Sequence, residues 1–255
     1  MKKYLLYLCL LCCILMMNVS CEAPQKQSRN KKKEINREID LAKIKRIDIP
    51  IDESLVTSEA SLTRNFYFIF DGSGSMQDAP GGACRGDQRF GSKLEGAKWA
   101  VQEFMKKVPD TINIALYVFD TYYGRREVVP LGTNNRQEFI RAVNTIRPGG
   151  MTPLADAIKF ATDQLVSQYK KQLGYGEYRI VVITDGIAED IPEAVIYSAK
   201  RGMPIYAIGL CIGDDHPLRR YALSYRAADN FADLAKGLEE TLAESEVFDP
   251  TEFKF

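Results

Sequence analysis

The sequence predicts an α/β fold: a doubly wound, mostly parallel, Rossmann-like sheet with one antiparallel edge strand and helices on both faces. Three observations predict it. Runs such as NFYFIF at 65–70 and YRIVVIT at 178–184 are apolar along most of their length rather than alternating, as strands covered on both faces require. Such runs alternate with stretches at helical spacing, for example Leu94, Ala97, Val101 and Met105, and that alternation defines the class. A chain of 255 residues is also long enough for one sizeable core plus a leader.

The leader comes first. Residues 1–20 carry two lysines and then an apolar core from Tyr4 to Met17, the n-region and h-region of a secretory signal, too short for a comfortable membrane span. An uncleaved anchor is the alternative reading. Ser20 before Cys21 resembles a bacterial lipobox, although Asn18 departs from the branched apolar residue usual there. The resemblance implies cleavage before Cys21 and lipid on that cysteine. Residues 21–63 then read as a lipid-anchored tether, opening with EAPQKQSRNKKK, one acid and five bases suited to anionic head groups. Within it, EINREIDLAKIKRI has weak amphipathic spacing and is read as a solvated linker. IDIPID adds an extended segment to the domain, with Pro50 suited to an edge.

The domain is expected over 64–248, with a tail at 249–255. After the first strand comes a long loop, Gln77 to Ser92, rich in glycine, and then a helix from Lys93 to Lys107 whose Trp99 is expected at a helix–sheet contact. A strand from Ile112 to Phe119, the turn TYYGRR and an antiparallel edge strand from Glu127 to Leu131 follow. Helices at Arg136–Ile146 and Pro153–Leu173 lead to the strand ending at Asp185. Asp190 and Glu193 form a capping-box pattern before a helix at Ile191–Lys200. The remainder reads as a strand at Pro204–Ile212, a short helix at Pro217–Leu223, a strand near Tyr225–Ala228 and a helix at Ala232–Ala243.

The chemistry gathers on one edge. Asp71, Ser73 and Ser75 offer three hard oxygens at alternate positions, with Gly72 and Gly74 between them to let the chain turn. Thr152, in GGMTPL, and Asp185, ending another buried strand, arrive at the same carboxyl-terminal edge, where doubly wound sheets place their binding crevice. Thr152 has a competing reading as a helix N-cap ahead of Pro153. The order Asp-x-Ser-x-Ser, Thr, Asp resembles the metal-ion-dependent adhesion site of von Willebrand factor type A domains, over roughly residues 64–248. By that resemblance Ser73 and Ser75 bind a metal directly, and Thr152, Asp71 and Asp185 bind it directly or through water. An all-oxygen donor set suits Mg²⁺ first, with Mn²⁺ and Ca²⁺ as the other hard cations, and disfavours zinc and copper. Two carboxylates and three neutral hydroxyls leave a divalent ion able to take one more anionic oxygen, which in this family comes from an Asp or Glu of a protein partner.

Candidate rim residues for that partner are Tyr122, Tyr123, Arg125 and Arg126 on the hairpin, and His216 on a later loop beside Asp214 and Asp215. Cys84 and Cys211 are the two cysteines left in the folded part; a disulfide and a pair of free thiols, one of them buried, both stay open.

Composition removes other classes. Lys plus Arg and Asp plus Glu number 34 each, so nothing general favours nucleic acid. A haloacid-dehalogenase-type phosphatase needs a second Asp where this chain has Ser73, no Walker loop or nucleophile elbow is present, and His216 is the only histidine. No catalytic residue is assigned and no enzyme is expected. The expected function is a metal-dependent protein-binding module tethered to a bacterial envelope membrane, facing the periplasm or the exterior. The alternatives are a scaffold that binds without the metal site and, further off, a metal-dependent hydrolase or an ATPase-partner subunit.

Overall fold

The computed structural model describes residues 43–51, 63–81, 84, 89–186, 188, 190–212, 217–220 and 222–242. Cys21, His216, Asp214, Asp215, the leader and the tail lie outside them.

Six strands form one sheet: β1 (Asn65–Asp71), β2 (Asn113–Asp120), β3 (Gly124–Gly132), β4 (Tyr178–Thr184), β5 (Ile205–Leu210) and β6 (Ser224–Ala228). Their order is β3-β2-β1-β4-β5-β6, parallel throughout except for β3, which returns antiparallel beside β2. The chain runs outward from β1 to β2 and β3, then crosses back to β4 on its other side. That reversal opens a crevice at the carboxyl ends of β1 and β4.

β1 is buried at every residue, and its alternation sorts the helices. Phe66, Phe68 and Phe70 enter one core with α1 (Lys93–Met105), α2 (Arg136–Thr145) and α5 (Phe231–Glu240), through residues such as Phe104, Phe139 and Leu234. Tyr67 and Ile69 enter the other with α3 (Leu154–Lys171) and α4 (Ile191–Lys200), through residues such as Ile158, Leu165 and Val195. Each buried aromatic or branched side chain in these layers contributes about 2 kcal/mol of apolar transfer energy, so β1 and its covering helices form a stiff platform for the loops above. Among the described residues, no helix is long and apolar enough to cross a membrane.

Three local expectations change. Asp190 sits in the left-handed region (φ 58°) and its side chain makes no cap bond, so the helix α4 starts without the expected capping box. Trp99 is only partly buried and meets Phe90 of the preceding loop, ring centroids 5.8 Å apart, rather than being enclosed against the sheet. Where a short helix over Pro217–Leu223 is expected, the described residues Pro217–Arg220 form a 3-10 turn.

At the amino-terminal end of the sheet, charges are paired off. Arg64 Nε meets Glu177 Oε2 at 2.5 Å and Arg179 Nη2 meets Glu177 Oε1 at 2.7 Å. The two guanidinium groups also donate to the Leu242 and Thr241 carbonyls beyond α5. Residues 44–49 run beneath this end. The Ile47 amide donates to the Lys200 carbonyl at 2.8 Å, and Ile49 packs on the α3–α4 core.

Candidate metal centre

The site is assembled by three loops bonded through their backbones. β1 delivers Asp71 to the crevice, and the chain turns through Gly72 into a 3-10 turn at Gly74–Gln77. The Gly72 amide donates to the Phe119 carbonyl at 3.0 Å, and the Gly149 amide donates to the Gly72 carbonyl at 2.9 Å. The Gly74 amide reaches the Gly150 carbonyl at 3.2 Å. Only glycine fits at 72: a Cβ there would lie 2.8 Å from both Asp120 Cβ and Ile146 Cγ2. These bonds bring the loop before α3, with Thr152, against the loop after β1.

The oxygens converge. Ser73 Oγ lies 3.2 Å from Ser75 Oγ, and Ser75 Oγ donates to Asp185 Oδ1 at 2.7 Å. Gly186 reports on the remaining distances, because a Cβ built on it would stand 3.3 Å from Thr152 Oγ1, 3.7 Å from Asp71 Oδ2 and 3.8 Å from Ser75 Oγ. A side chain at 186 would fill that cradle. All five sequence-predicted ligand positions, Asp71, Ser73, Ser75, Thr152 and Asp185, therefore stand around one point.

Burial makes the two carboxylates consequential. Asp71 is 0% exposed and Asp185 7%. Asp71 Oδ1 accepts from the Ser73 amide at 2.8 Å, and Oδ2 accepts from Thr184 Oγ1 at 2.6 Å. Desolvation nonetheless outweighs those bonds, and with some help from the neighbouring Asp185 charge it pushes Asp71 from 3.8 up to about 6. Asp185 has a further partner, the Lys93 ammonium, 2.8 Å from its Oδ2.

The donor set fits a hard divalent cation. It is two carboxylates and three hydroxyls with no nitrogen or sulfur, and no cluster of three or more His, Cys, Asp or Glu side chains is found among the described residues. A buried carboxylate that holds its proton for want of solvation gains most from an adjacent cation.

Sequence reasoning missed Thr184 and Lys93. Thr184 left a trace, a hydroxyl directly after the apolar run Ile180–Ile183. Lys93 left another, a cation at the first position of a helix, where the dipole disfavours it.

The rim lies beside the site. Asp120 holds the β2–β3 turn by accepting from the Tyr123 amide at 2.5 Å and the Arg147 amide at 2.8 Å. Tyr122 and Tyr123 meet edge to face at 4.9 Å, with Arg147 over the Tyr122 ring and Arg126 over the Tyr123 ring. Arg125 is exposed on the same hairpin, and exposed Met151 precedes Thr152. Across the site, the structure joins Cys84 to Cys211 in a disulfide, Cα to Cα 5.2 Å, which ties the long loop to the residue following β5.

Comparison with known proteins agrees with this architecture. The family description of the von Willebrand factor type A domain matches residues 65–242. The uncharacterized protein YwmC of Bacillus subtilis (strain 168) is 28% identical over 144 residues, 51% of this chain and 57% of YwmC, so the chain spans little more than half of that relative. A von Willebrand factor type A structure from Catenulispora acidiphila superposes with a TM-score of 0.54 at 20% identity, covering 70% of this chain and 42% of that one. The vWF domain of the type V pili tip protein Mfa5 from Porphyromonas gingivalis gives 0.52 at 14% identity, covering 72% and 97%. At such identities the likenesses speak for the fold, and the family match speaks for descent: the chain belongs to the von Willebrand factor type A domain family.

Proposed function

We propose that this protein is a metal-dependent protein-binding module of the bacterial cell envelope. The observation that carries the reading is the convergence of Asp71, Ser73, Ser75, Thr152 and Asp185 at the sheet's switch point. These residues would hold a divalent cation, Mg²⁺ before Mn²⁺ or Ca²⁺. Bound there, the ion supplies a Lewis-acidic position for one carboxylate oxygen of a partner's Asp or Glu. The chain's own part is positional. Thr184 and the Ser73 amide fix the orientation of Asp71, and Ser75 fixes Asp185. Tyr122, Tyr123, Arg125, Arg126 and Arg147 offer the partner an aromatic and cationic shoulder, with His216 assigned to the same rim.

The anchoring belongs to the same proposal: a signal at 1–20, lipid on Cys21, a tether to residue 63, the domain over 64–248 and a tail at 249–255. Residues 44–49 pass beneath the amino-terminal end of the sheet, opposite the site, and so favour a site that faces away from the membrane. No catalytic role is proposed for any residue. The likeness to a pilus-tip domain supports an adhesive or assembly role rather than a hydrolytic one.

The test is calorimetric titration of Mg²⁺, Mn²⁺ and Ca²⁺ into the metal-stripped full chain, with Asp71→Ala and Asp185→Ala beside it, followed by partner capture with and without chelator. Saturable binding lost in both variants, and capture lost with chelator, is the expected result. Capture unaffected by chelator points instead to a scaffold that binds without the ion.

A further inference from the structure

The Lys93 ammonium stands against the ligand set. Lys93 is the first residue of α1, fixed there by Ser92 capping the Glu95 amide and by its own amide donating to the Asp78 carbonyl at 2.9 Å. Its ammonium lies 2.8 Å from Asp185 Oδ2, with the lysine side chain 17% exposed and the aspartate side chain fully buried. The arrangement has two costs, a cation at the positive end of a helix dipole and an ordered four-carbon stem. A carboxylate assigned to the metal is what offsets them.

Charge counting shows the effect. Asp71 and Asp185 together carry two negative charges, which one divalent ion cancels. Lys93 adds a positive charge in contact with the ligand set. We infer that Lys93 tunes this centre: it weakens divalent-cation binding by sharing Asp185, and with one divalent ion held by Asp71 and Asp185 it leaves these groups with a net positive charge that favours an anionic ligand. The inference rests on the metal reading given above. In chelator the same ammonium is the counter-charge of Asp185, which keeps the crevice assembled. A unit charge about 5 Å from a divalent ion at an effective dielectric near 20 corresponds to several powers of ten in affinity before solvent screening and side-chain rearrangement, so about tenfold is the floor expected on its removal.

The experiment uses the full chain in detergent, as wild type, Lys93→Met, Lys93→Gln, Lys93→Arg and Asp71→Ala, with folding checked by circular dichroism. Mn²⁺ is titrated and followed by water-proton relaxation; acetate is then titrated against the Mn²⁺-loaded protein, where displaced water reports its binding. Both neutral variants are expected to bind Mn²⁺ about tenfold or more tightly than wild type, Lys93→Arg to stay near wild type, and acetate to bind the neutral variants more weakly. Unchanged or weaker Mn²⁺ binding by folded neutral variants overturns the inference while leaving the metal site standing. Tighter Mn²⁺ binding with unchanged acetate affinity overturns its anion half. A wild type and neutral variants that are all folded and bind no Mn²⁺ remove the metal reading and this inference together.

Discussion

The two ends of the sheet treat buried charge in opposite ways. At the amino-terminal end Arg64, Glu177 and Arg179 satisfy one another and close on the last carbonyls beyond α5, so the charges act as a clasp. At the carboxyl-terminal end two buried aspartates are pushed toward one point with the Lys93 ammonium against one of them, and Asp71 holds its proton up to about 6 for want of better solvation. One end is built to be complete. On the metal reading proposed above, the other takes its completing charge from a bound cation.

The largest expected contrast comes from removing a carboxylate at the incomplete end. Asp71→Ala and Asp185→Ala should abolish measurable Mg²⁺ binding in calorimetry while the circular dichroism spectrum stays that of the wild type. Next comes pH. Asp71 binds its proton more tightly in the folded chain than in the unfolded one, so its stabilising contribution is full below pH 3.8 and is lost as pH rises through about 6. In chelator, Asp71→Asn should therefore gain about 3 kcal/mol relative to wild type between pH 3.5 and pH 7.5, read from urea unfolding. Saturating Mg²⁺ at pH 7.5 should erase much of that gain.

At the complete end, Arg179→Met should cost about 2 kcal/mol of stability by removing the guanidinium bond to the Thr241 carbonyl and leaving Glu177 to Arg64. Metal affinity should not move; a shift in it would show that the two ends are coupled. The smallest effect belongs to the rim. Tyr122, 55% exposed, should tolerate alanine within about 0.5 kcal/mol in a thermal melt and reveal itself only in weaker partner capture.

What the sequence disclosed follows the range of the interaction. The β1 run and the Asp71–Ser75 motif are local, and a strand buried on both faces leaves an unmistakable apolar signature, so the sheet and the edge carrying the oxygens were legible. The topology brought Thr152 and Asp185 to that edge because an antiparallel β3 returns the chain to the correct side. The supporting contacts were not legible, since Thr184 meets Asp71 across 113 residues and Lys93 meets Asp185 across 92. Asp190 failed for a different reason. Its spacing to Glu193 suits a capping box, but the chain enters α4 through a left-handed residue instead of the extended conformation a cap uses, and the side chain makes no bond to the helix amides. Trp99 shows the limit of helical spacing, which places a residue on a face without saying whether a loop ring such as Phe90 will occupy the space beside it.

The position of β1 has a mechanical consequence. It is the strand that starts beside the segment leading in from the amino terminus and ends at Asp71, and it is hydrogen-bonded to β2 on one side and β4 on the other along nearly its whole length. A pull applied to the amino-terminal side and resisted at the crevice runs along this strand. That backbone is covalent from end to end, so the load passes along it without peeling either ladder open. A handle gripped at Asp71 is thus joined to the amino-terminal side by seven residues of a strand held on both sides.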